Sequence, residues 1–311
     1  MLPLVDGGPR KLVHGVFGTL MRGEATLPAV PTLPADVVAR WGMAWGAGVV
    51  DAAARAFAAP PPLDLTLKDG EAVPGLEGES LMAGHLRLRD HGPVDAMPGF
   101  ADGRWWVQDI AASLPARMFG EMGGSVVDVC AAPGGKAMQL AAMGLAVTAL
   151  DVSDTRLERF RQTLARTGLE ATVVCGDALD WAPREPVDGV LIDAPCSATG
   201  IFRRHPDVLH RVRPAMIAEM AAVQARILAR AADWVKPGGT LVYATCSLER
   251  EEGEDQMERF LANRLDYRLE PAGPLPDGIT ATAQGWVRTL PGMLEEAGGC
   301  DGFFIARLVR G

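Results

Sequence analysis

The sequence predicts an α/β protein built around a doubly wound parallel sheet, with a small α+β unit before it. Two observations support this prediction. Short apolar runs typical of buried strands alternate with longer helical stretches over the second half of the chain, a pattern typical of parallel sheets. Helix boundaries are also well marked, since Pro214 suits a first helical turn and Gly238 follows the end of that helix.

The chain divides into three predicted segments. Residues 1–34 hold one weak helix, at 11–20, and a proline-rich linker. Residues 35–100 form the α+β unit, because the apolar spacing over 35–59 suits helices and two later stretches alternate as half-exposed strands do. These two stretches are residues 63–67 and 85–89. Residues 101–311 form the doubly wound domain.

The third segment begins with a predicted helix at 108–118 and then alternates between strand and helix. Strands are expected at 126–129, 145–150, 171–174, 187–192 and 240–244. Helices are expected at 137–143, 153–166 and 214–235. Residues 267–269 and 303–308 are expected to pair as an antiparallel hairpin at the edge of the sheet.

Composition limits the class of protein. The chain has 311 residues, 48% of them hydrophobic, which is enough for a sizeable core. No apolar run is long enough to span a bilayer, and the first residues lack the layout of a signal peptide, so we expect a cytoplasmic protein. The net charge of −9 argues against holding nucleic acid by bulk electrostatics. The five cysteines include no C-x-x-C pair, which disfavours a disulfide framework or a metal site.

A glycine-rich loop follows the first predicted strand of the sheet and leads into a helix. Its small residues allow a ligand to approach the backbone, and the helix start offers free N–H groups. Neither the dinucleotide pattern G-x-G-x-x-G nor the phosphate-loop pattern is present, which disfavours NAD, FAD and ATP. The loop consists of Cys130, Ala131, Ala132, Pro133, Gly134, Gly135 and Lys136.

Three aspartates, Asp151, Asp177 and Asp193, follow the second, third and fourth predicted strands. Asp151 is placed to bind ribose hydroxyls, and Asp177 to reach an adenine amino group. Each alone could equally be a helix cap or a turn residue. Together with the loop, they outline a nucleoside-shaped cofactor without a pyrophosphate.

Two cysteines, Cys196 and Cys246, follow the fourth and fifth predicted strands. If these strands are neighbours, both thiols face the same crevice as Asp193. A thiolate can attack an electron-poor ring carbon, and two thiols without a metal pattern suggest that one attacks while the other assists. The alternative is a pair of inert cysteines near a ligand pocket.

A basic stretch lies directly after Cys196 and is the best candidate for a local nucleic-acid contact, a solvated loop being the alternative. It includes Arg203, Arg204 and His205, with His210, Arg211 and Arg213 beyond. Aromatic residues are candidates to stack on bases, although aromatics more often belong to a core. These candidates are Trp105, Trp106 and Phe202.

Taken together, these motifs resemble the Nop/Sun family of RNA 5-methylcytosine methyltransferases, and most of all its bacterial 16S ribosomal RNA members of the Sun (Fmu) type. The resemblance covers residues 63–310. The motifs that carry it are residues 130–136, 193–197, 199–207, 245–247 and 301–306, with 98–100 and 107–109 at the entry to the catalytic domain.

The resemblance implies a Rossmann-like, class I S-adenosylmethionine-dependent methyltransferase sheet. It implies that Cys246 is the nucleophile that adds to cytosine C6, that Cys196 helps to break the adduct, and that Asp193 positions the base. Lys136 would either orient Asp193 or meet the RNA. The implied cofactor site is residues 130–136 with Asp151, Asp177 and Asp193. The implied partner is RNA, ribosomal first and transfer RNA second, bound by a monomer with no membrane contact, and residues 35–100 would be an RNA-binding domain.

The sequence departs from the family pattern at three positions, where Ala198 replaces a usual glycine, Ala137 a common threonine and Gly292 a frequent histidine. Sun-type enzymes often begin with a helical NusB-like domain. Here only residues 11–22 resemble that domain, at its last helix, so we expect the start of the sequence to be truncated. Three alternative functions stay open: methylation of transfer RNA, methylation of a small molecule or protein, and a catalytically silent role as an RNA-binding ribosome-assembly factor.

Overall fold

The strands of the described residues form two β-sheets, and the strands that the sequence predicts occur in the expected order along the chain. The structure is a computed structural model that describes residues 8–23, 28–58 and 60–311, with the side chains of residues 8–10 left out. Residues 1–7 and 24–27 of the predicted first segment, and residue 59, lie outside the described residues. No helix in the described ranges is long and apolar enough to cross a membrane.

Three helices precede the first sheet: α1 (Gly8–Arg22), α2 (Ala35–Trp45) and α3 (Ala47–Phe57). The first is longer than the helix predicted at 11–20. Gly46 separates α2 from α3 with a φ of 87°, a backbone conformation that favours glycine. Trp41 of α2 is buried against Phe202, with ring centroids 5.5 Å apart, so these helices pack onto the larger domain.

The smaller sheet contains β1 (Leu63–Leu67), β2 (His85–Leu88) and β3 (Trp105–Val107), antiparallel in the order β2-β1-β3. The prediction that β1 is half exposed is wrong, since all five of its residues are buried. Its polar side chains are satisfied internally, because Asp64 pairs with Arg87 and Thr66 donates to Gln108. The third strand lies beyond residue 100, where the small unit is predicted to end. The domain boundaries stay a prediction.

The larger sheet has eight strands among the described residues, in the order β10-β11-β8-β7-β4-β5-β6, with β9 also paired to β11. Strands β4 to β8 run parallel, and β11 is antiparallel to β8. The predicted antiparallel pairing of 267–269 with the later strand is confirmed, at residues 308–310, but the two strands do not form a hairpin because β10 lies between them in the chain. The strands are β4 (Ser125–Val129), β5 (Ala146–Asp151), β6 (Thr172–Cys175), β7 (Val187–Asp193), β8 (Val235–Thr245), β9 (Tyr267–Leu269), β10 (Val287–Thr289) and β11 (Phe303–Arg310).

Helices cover both faces of this sheet, so the predicted doubly wound arrangement is confirmed. Alternate strand residues enter two separate apolar layers, Val126 with Leu191 in one and Val127 with Val190 in the other. Helices α4, α5 and α6 pack on the first layer, and α8 and α9 on the second. The helices are α4 (Ile110–Arg117), α5 (Gly135–Ala142), α6 (Asp154–Thr167), α7 (Val208–Arg211), α8 (Pro214–Ala232) and α9 (Glu254–Asn263).

A fully buried ion pair within the smaller sheet also connects that sheet to α4. Arg87 donates two hydrogen bonds of 2.7 Å to Asp64, and Asp64 also accepts the backbone N–H of Ile110 at the start of α4. Burial raises the pKa of Asp64, but hydrogen bonds from Arg87 and His85 and the charge of Arg87 outweigh burial and lower the pKa below its usual range. Asp64 is therefore ionised throughout the neutral range.

We expect Arg87→Met to lower the free energy of unfolding at pH 7 by about 3–5 kcal/mol, because it leaves a buried carboxylate without its partner. Since Arg87 lowers the Asp64 pKa, the contribution of the pair is present at neutral pH and is lost on acidification, so the difference from wild type should shrink below about pH 4. Denaturant unfolding at several pH values measures this. Arg89→Met, at an exposed arginine, is the control and should cost less than about 1 kcal/mol.

Candidate active site

Three loops meet at the carboxyl edge of the larger sheet. Chain order reverses at β4, which neighbours both β5 and β7, and open α/β sheets form their ligand crevice at such a reversal. The loops after β4, β7 and β8, residues 130–136, 194–199 and 246–249, lie side by side because the strand ends are in register. The paired residues near these ends are Val129 with Ile192 and Asp193 with Ala244.

A hydrogen bond to Asp151 holds the glycine-rich loop in place, and the loop can pack against Phe160 because residue 134 is a glycine. The N–H of Ala132 donates to the carboxylate of Asp151 at 3.0 Å. Gly134 has a φ of 104°, and a β-carbon there would lie 1.9 Å from the ring of Phe160, so glycine is required. Helix α5 starts at the next residue, and its first N–H groups have no partners within the helix.

Asp151 and Asp177 differ in how many hydrogen bonds their carboxylates already accept. Asp151 is buried, and besides Ala132 it accepts hydrogen bonds of 2.8 Å from Ser153 N–H and from Arg156. It therefore joins the glycine-rich loop to the start of α6. Asp177, two residues beyond β6, is exposed and accepts one bond from Leu179 N–H within its own turn. Its carboxylate retains lone pairs that can accept further donors.

Lys136 contacts Asp193, as one of the two roles left open for this lysine requires. Its Nζ donates to the Asp193 carboxylate at 2.8 Å and lies 5.2 Å from the centre of the Phe303 ring. Burial lowers the pKa of Lys136, but the charge and hydrogen bond of Asp193 outweigh burial and raise it. The lysine is thus a buried ammonium that orients Asp193.

Cys196 and Cys246 lie next to each other, as the sequence predicts for two strand-end thiols. Their sulfurs are 3.4 Å apart, although 50 residues separate them in the chain. The hydrogen bond to Cys246, together with burial, raises the pKa of Cys196 well above its usual range. Cys196 therefore keeps its proton and can donate it toward the sulfur of Cys246.

The remaining cysteines of this edge lack that arrangement. Burial, with the charges of Asp193 and Asp151, raises the pKa of Cys130 to about 12, so this thiol stays protonated. Cys175 is exposed at the end of β6. No group of three or more His, Cys, Asp or Glu side chains in the described ranges could hold a metal ion.

Asp128, in β4, lies two residues before the glycine-rich loop and is not among the site residues that the sequence predicts. It is fully buried, and no side-chain or backbone group of the described residues makes a well-formed hydrogen bond to its carboxyl, although the backbone N–H of Ala137 acts to lower its pKa. Burial, followed by the charge of Asp193, raises its pKa well above the usual range, so the group is neutral. The sequence pattern does indicate it, because an acidic residue inside an apolar strand costs free energy unless it has a polar partner.

Of the predicted RNA contacts, the structure places Arg203 in the interior. Its side chain is 4% exposed and pairs with Asp109 and Asp301, which Arg204 also binds. This cluster ties the start of α4 to the segment before β11. Of the three residues predicted to contact RNA, His205 is the one that is exposed.

The predicted base-stacking residues are core residues instead. Trp105, Trp106 and Phe202 are buried, which leaves no ring face for a base. Trp106 lines the edge of a cavity of about 410 Å³ that also contacts Pro133, Lys136 and Asp193. This cavity adjoins the glycine-rich loop and the end of β7, and Arg166 also lines it.

The chain is similar in sequence to known methyltransferases. Residues 120–309 match the family described as 16S rRNA methyltransferase RsmB/F. The chain is similar to ribosomal RNA small subunit methyltransferase B of Klebsiella pneumoniae (strain 342), with 43% identity over 231 residues that cover 72% of this chain and 51% of the relative. The chain thus spans about half the length of the curated relatives it matches.

Two solved structures are also similar. The crystal structure of PH0851 superposes with a TM-score of 0.80 at 27% identity, covering 89% of this chain and 66% of that one. The structure of NSun6 from Pyrococcus horikoshii with SFG has a TM-score of 0.62 at 26% identity, covering 71% of this chain and 56% of that one.

We expect Gly134→Ala to destabilise the protein by more than about 3 kcal/mol, since the new methyl group combines overpacking against Phe160 with a left-handed backbone. Gly144→Ala is the matched control, because Gly144 has a φ of 84° but open space around it, and it should cost about 1 kcal/mol. Thermal and denaturant unfolding measure both. Equal costs would contradict the steric role of the Phe160 contact.

Proposed function

This chain belongs to the 16S rRNA methyltransferase RsmB/F family, and on that premise we propose that it transfers a methyl group from S-adenosyl-L-methionine to C5 of a cytosine in RNA, with 16S ribosomal RNA as the substrate. The observation that carries the proposal is the contact between the sulfurs of Cys196 and Cys246. Methyl transfer to a nitrogen or a hydroxyl needs no enzyme nucleophile, whereas cytosine C5 must be activated by addition at C6.

The residues around the glycine-rich loop fit S-adenosylmethionine. Asp128 offers a buried carboxyl without a well-formed hydrogen bond among the described residues, which suits an amino group of the ligand. Asp177 is exposed and would accept from the adenine amino group, while Asp151 lies at the β5 end, where ribose hydroxyls bind in this fold class. The first N–H groups of α5 suit the cofactor carboxylate. When bound, the cofactor supplies an electrophilic methyl group.

Cys246 is the proposed nucleophile. Its sulfur, as the thiolate, would form a bond to cytosine C6. The electron pair of the C5–C6 double bond would then form the new bond from C5 to the methyl group, as the bond between that methyl and the cofactor sulfur breaks and its electron pair stays on that sulfur. The buried end of β8, residues 240–245, and the hydrogen bond from Gly200 N–H to the Cys246 carbonyl, 3.0 Å long, hold this residue rigidly. A fixed sulfur lowers the entropic cost of reaching C6.

Cys196 is the proposed group that releases the product. The C5 proton would pass to the Cys196 sulfur as Cys196 gives its own proton to the departing Cys246 sulfur, and the C5–C6 double bond re-forms. The protonated state of Cys196 and its contact with Cys246 support this relay.

Asp193 and Lys136 are the proposed base-positioning pair. Asp193 is partly exposed, with a side-chain accessibility of 29%, so one face remains open to a base while Lys136 fixes the other. We propose that Asp193 positions cytosine at N3, its carboxylate accepting the N3–H hydrogen bond once N3 is protonated in the adduct, and that the fixed ammonium of Lys136 stabilises charge as the adduct forms.

RNA would reach the site from residues 35–100, which we propose as an RNA-binding unit, and from the surface after Cys196. Because Arg203 is buried and paired, we assign the RNA contacts to the exposed residues of that surface. These residues are His205, His210, Arg211 and Arg213. We propose that the protein acts in the cytoplasm, where ribosomal RNA is made in bacteria, and acts as a monomer.

We expect Cys246→Ala to abolish methyl transfer from labelled cofactor to unmodified 16S RNA, since no adduct can form. We expect Cys196→Ala to accumulate a covalent protein–RNA adduct that gel electrophoresis detects. Cys175→Ala is the control and should leave both measurements unchanged. Full activity of Cys246→Ala would reverse the roles of the cysteines. RNA binding that survives loss of both thiols, with no product from any RNA, would indicate an assembly factor.

We expect Asp128→Asn to weaken S-adenosylmethionine binding at least about tenfold, equivalent to about 1.4 kcal/mol, without lowering the free energy of unfolding. The physical reason is that Asp128 has no well-formed hydrogen bond to lose among the described residues. Titration calorimetry and denaturant unfolding measure the two effects. Asp188→Asn is the control, because Asp188 binds Lys236 and Ser125, so that variant should lose stability and keep its affinity.

A further inference from the structure

A buried glutamate lies behind the two cysteines. Glu252 follows β8 in a short 3-10 turn (Arg250–Glu252) and is 0% exposed. Its carboxylate accepts the N–H of Ser197 at 2.9 Å and the side-chain amide of Gln224 at 3.0 Å. It also accepts both the hydroxyl of Ser197 and the hydroxyl of Ser247, each at 2.5 Å.

The two serines are the residues that directly follow the cysteines, since Ser197 follows Cys196 and Ser247 follows Cys246. One carboxylate therefore holds both cysteine loops at equivalent positions. Gln224, from α8, extends the same network by donating to the carbonyl of Pro195 at 2.8 Å. The cysteine loop after β7 is thus held on both sides of Cys196.

Burying a carboxylate costs free energy, so packing alone does not explain why residue 252 is a glutamate. Burial raises the pKa of Glu252 although Ser197 and Ser247 donate hydrogen bonds to it. An apolar side chain of similar volume would fill the space without that cost, but it could not accept from two loops at once. The charge of Glu252 also contributes to keeping Cys196 protonated.

We propose that Glu252 is a positioning residue for the cysteine pair: through Ser197 and Ser247 it holds Cys196 and Cys246 at the separation that their joint chemistry requires. This inference rests on the proposed function for its catalytic meaning. Its geometric content, that Glu252 sets the distance between the two sulfurs, stands independently of any RNA substrate.

The distance is tested with diamide, an oxidant that converts two adjacent thiols into a disulfide and is itself reduced to the hydrazine. The rate of Cys196–Cys246 cross-linking, followed by peptide mass spectrometry, reports how close the sulfurs lie. All variants carry Cys175→Ser, so that the exposed thiol does not compete. Glu252→Gln keeps the volume, and Glu249→Gln is the matched control, because Glu249 is buried nearby but binds Arg40 and Trp41 instead.

We expect Glu252→Gln, shown to be folded by circular dichroism, to slow cross-linking at least fivefold, and Glu249→Gln to change it less than twofold. RNA methylation by Glu252→Gln should show a kcat at least fivefold lower, with KM for RNA changed less than threefold. Cross-linking slowed less than fivefold in folded Glu252→Gln would overturn the inference. If that variant does not fold, Ser247→Ala decides by the same fivefold criterion.

The outcome separates the inference from the proposed function. Slow cross-linking in Glu252→Gln, with no RNA methylation by the wild type, would reject the methyltransferase proposal and keep Glu252 as the residue that sets the sulfur distance. Methylation by the wild type, with unchanged cross-linking in folded Glu252→Gln, would keep the function and reject the positioning role.

Discussion

The hydrogen-bonded register of β4, β7 and β8 determines where every candidate catalytic group lies. Because these strands are parallel and in step, their carboxyl ends bring the glycine-rich loop, Asp193 and Cys246 to one line at the sheet edge. The interval between neighbouring strands in a sheet is about 4.8 Å, so side chains from adjacent loops can meet directly. The contact between Lys136 and Asp193, and the contact between the two sulfurs, both follow from this register.

Buried carboxylates then fix the loops relative to one another. Asp64 connects the small sheet to α4, Asp109 and Asp301 connect α4 to the segment before β11, and Glu252 connects the two cysteine loops. Each carboxylate is compensated by several donors, which is why burial is tolerated. An acidic protein thus uses several of its arginines inside the molecule, and these are not available for surface contact with a polyanion.

Much of the fold could be predicted from the sequence, because strong local signals coincide with it. The strands from residue 126 to residue 244 and the three long helices between them lie close to their predicted positions, since apolar runs and marked helix ends are local features, whereas the short helix α7 was not predicted and β8 begins earlier than expected. Strands β3 and β10 have three residues each and are stabilised by distant partners, so no local pattern indicates them. The burial of Arg203 and of Trp105 depends on residues far away in sequence, which explains why their roles were misjudged. The same holds for Glu252, whose partner Ser197 lies 55 residues away.

The position of β8 between β7 and β11 has a consequence for the order of folding. Strand β7 precedes β8 in the chain, but β11 follows it by more than fifty residues, so the two sides of β8 are completed by contacts of different sequence separation. Closing a longer loop costs more conformational entropy and proceeds more slowly. The β7–β8 pairing, which brings Cys196 and Cys246 together, closes the shorter loop and does not require β11, so the paired thiols can assemble before β11 docks on the other edge of β8.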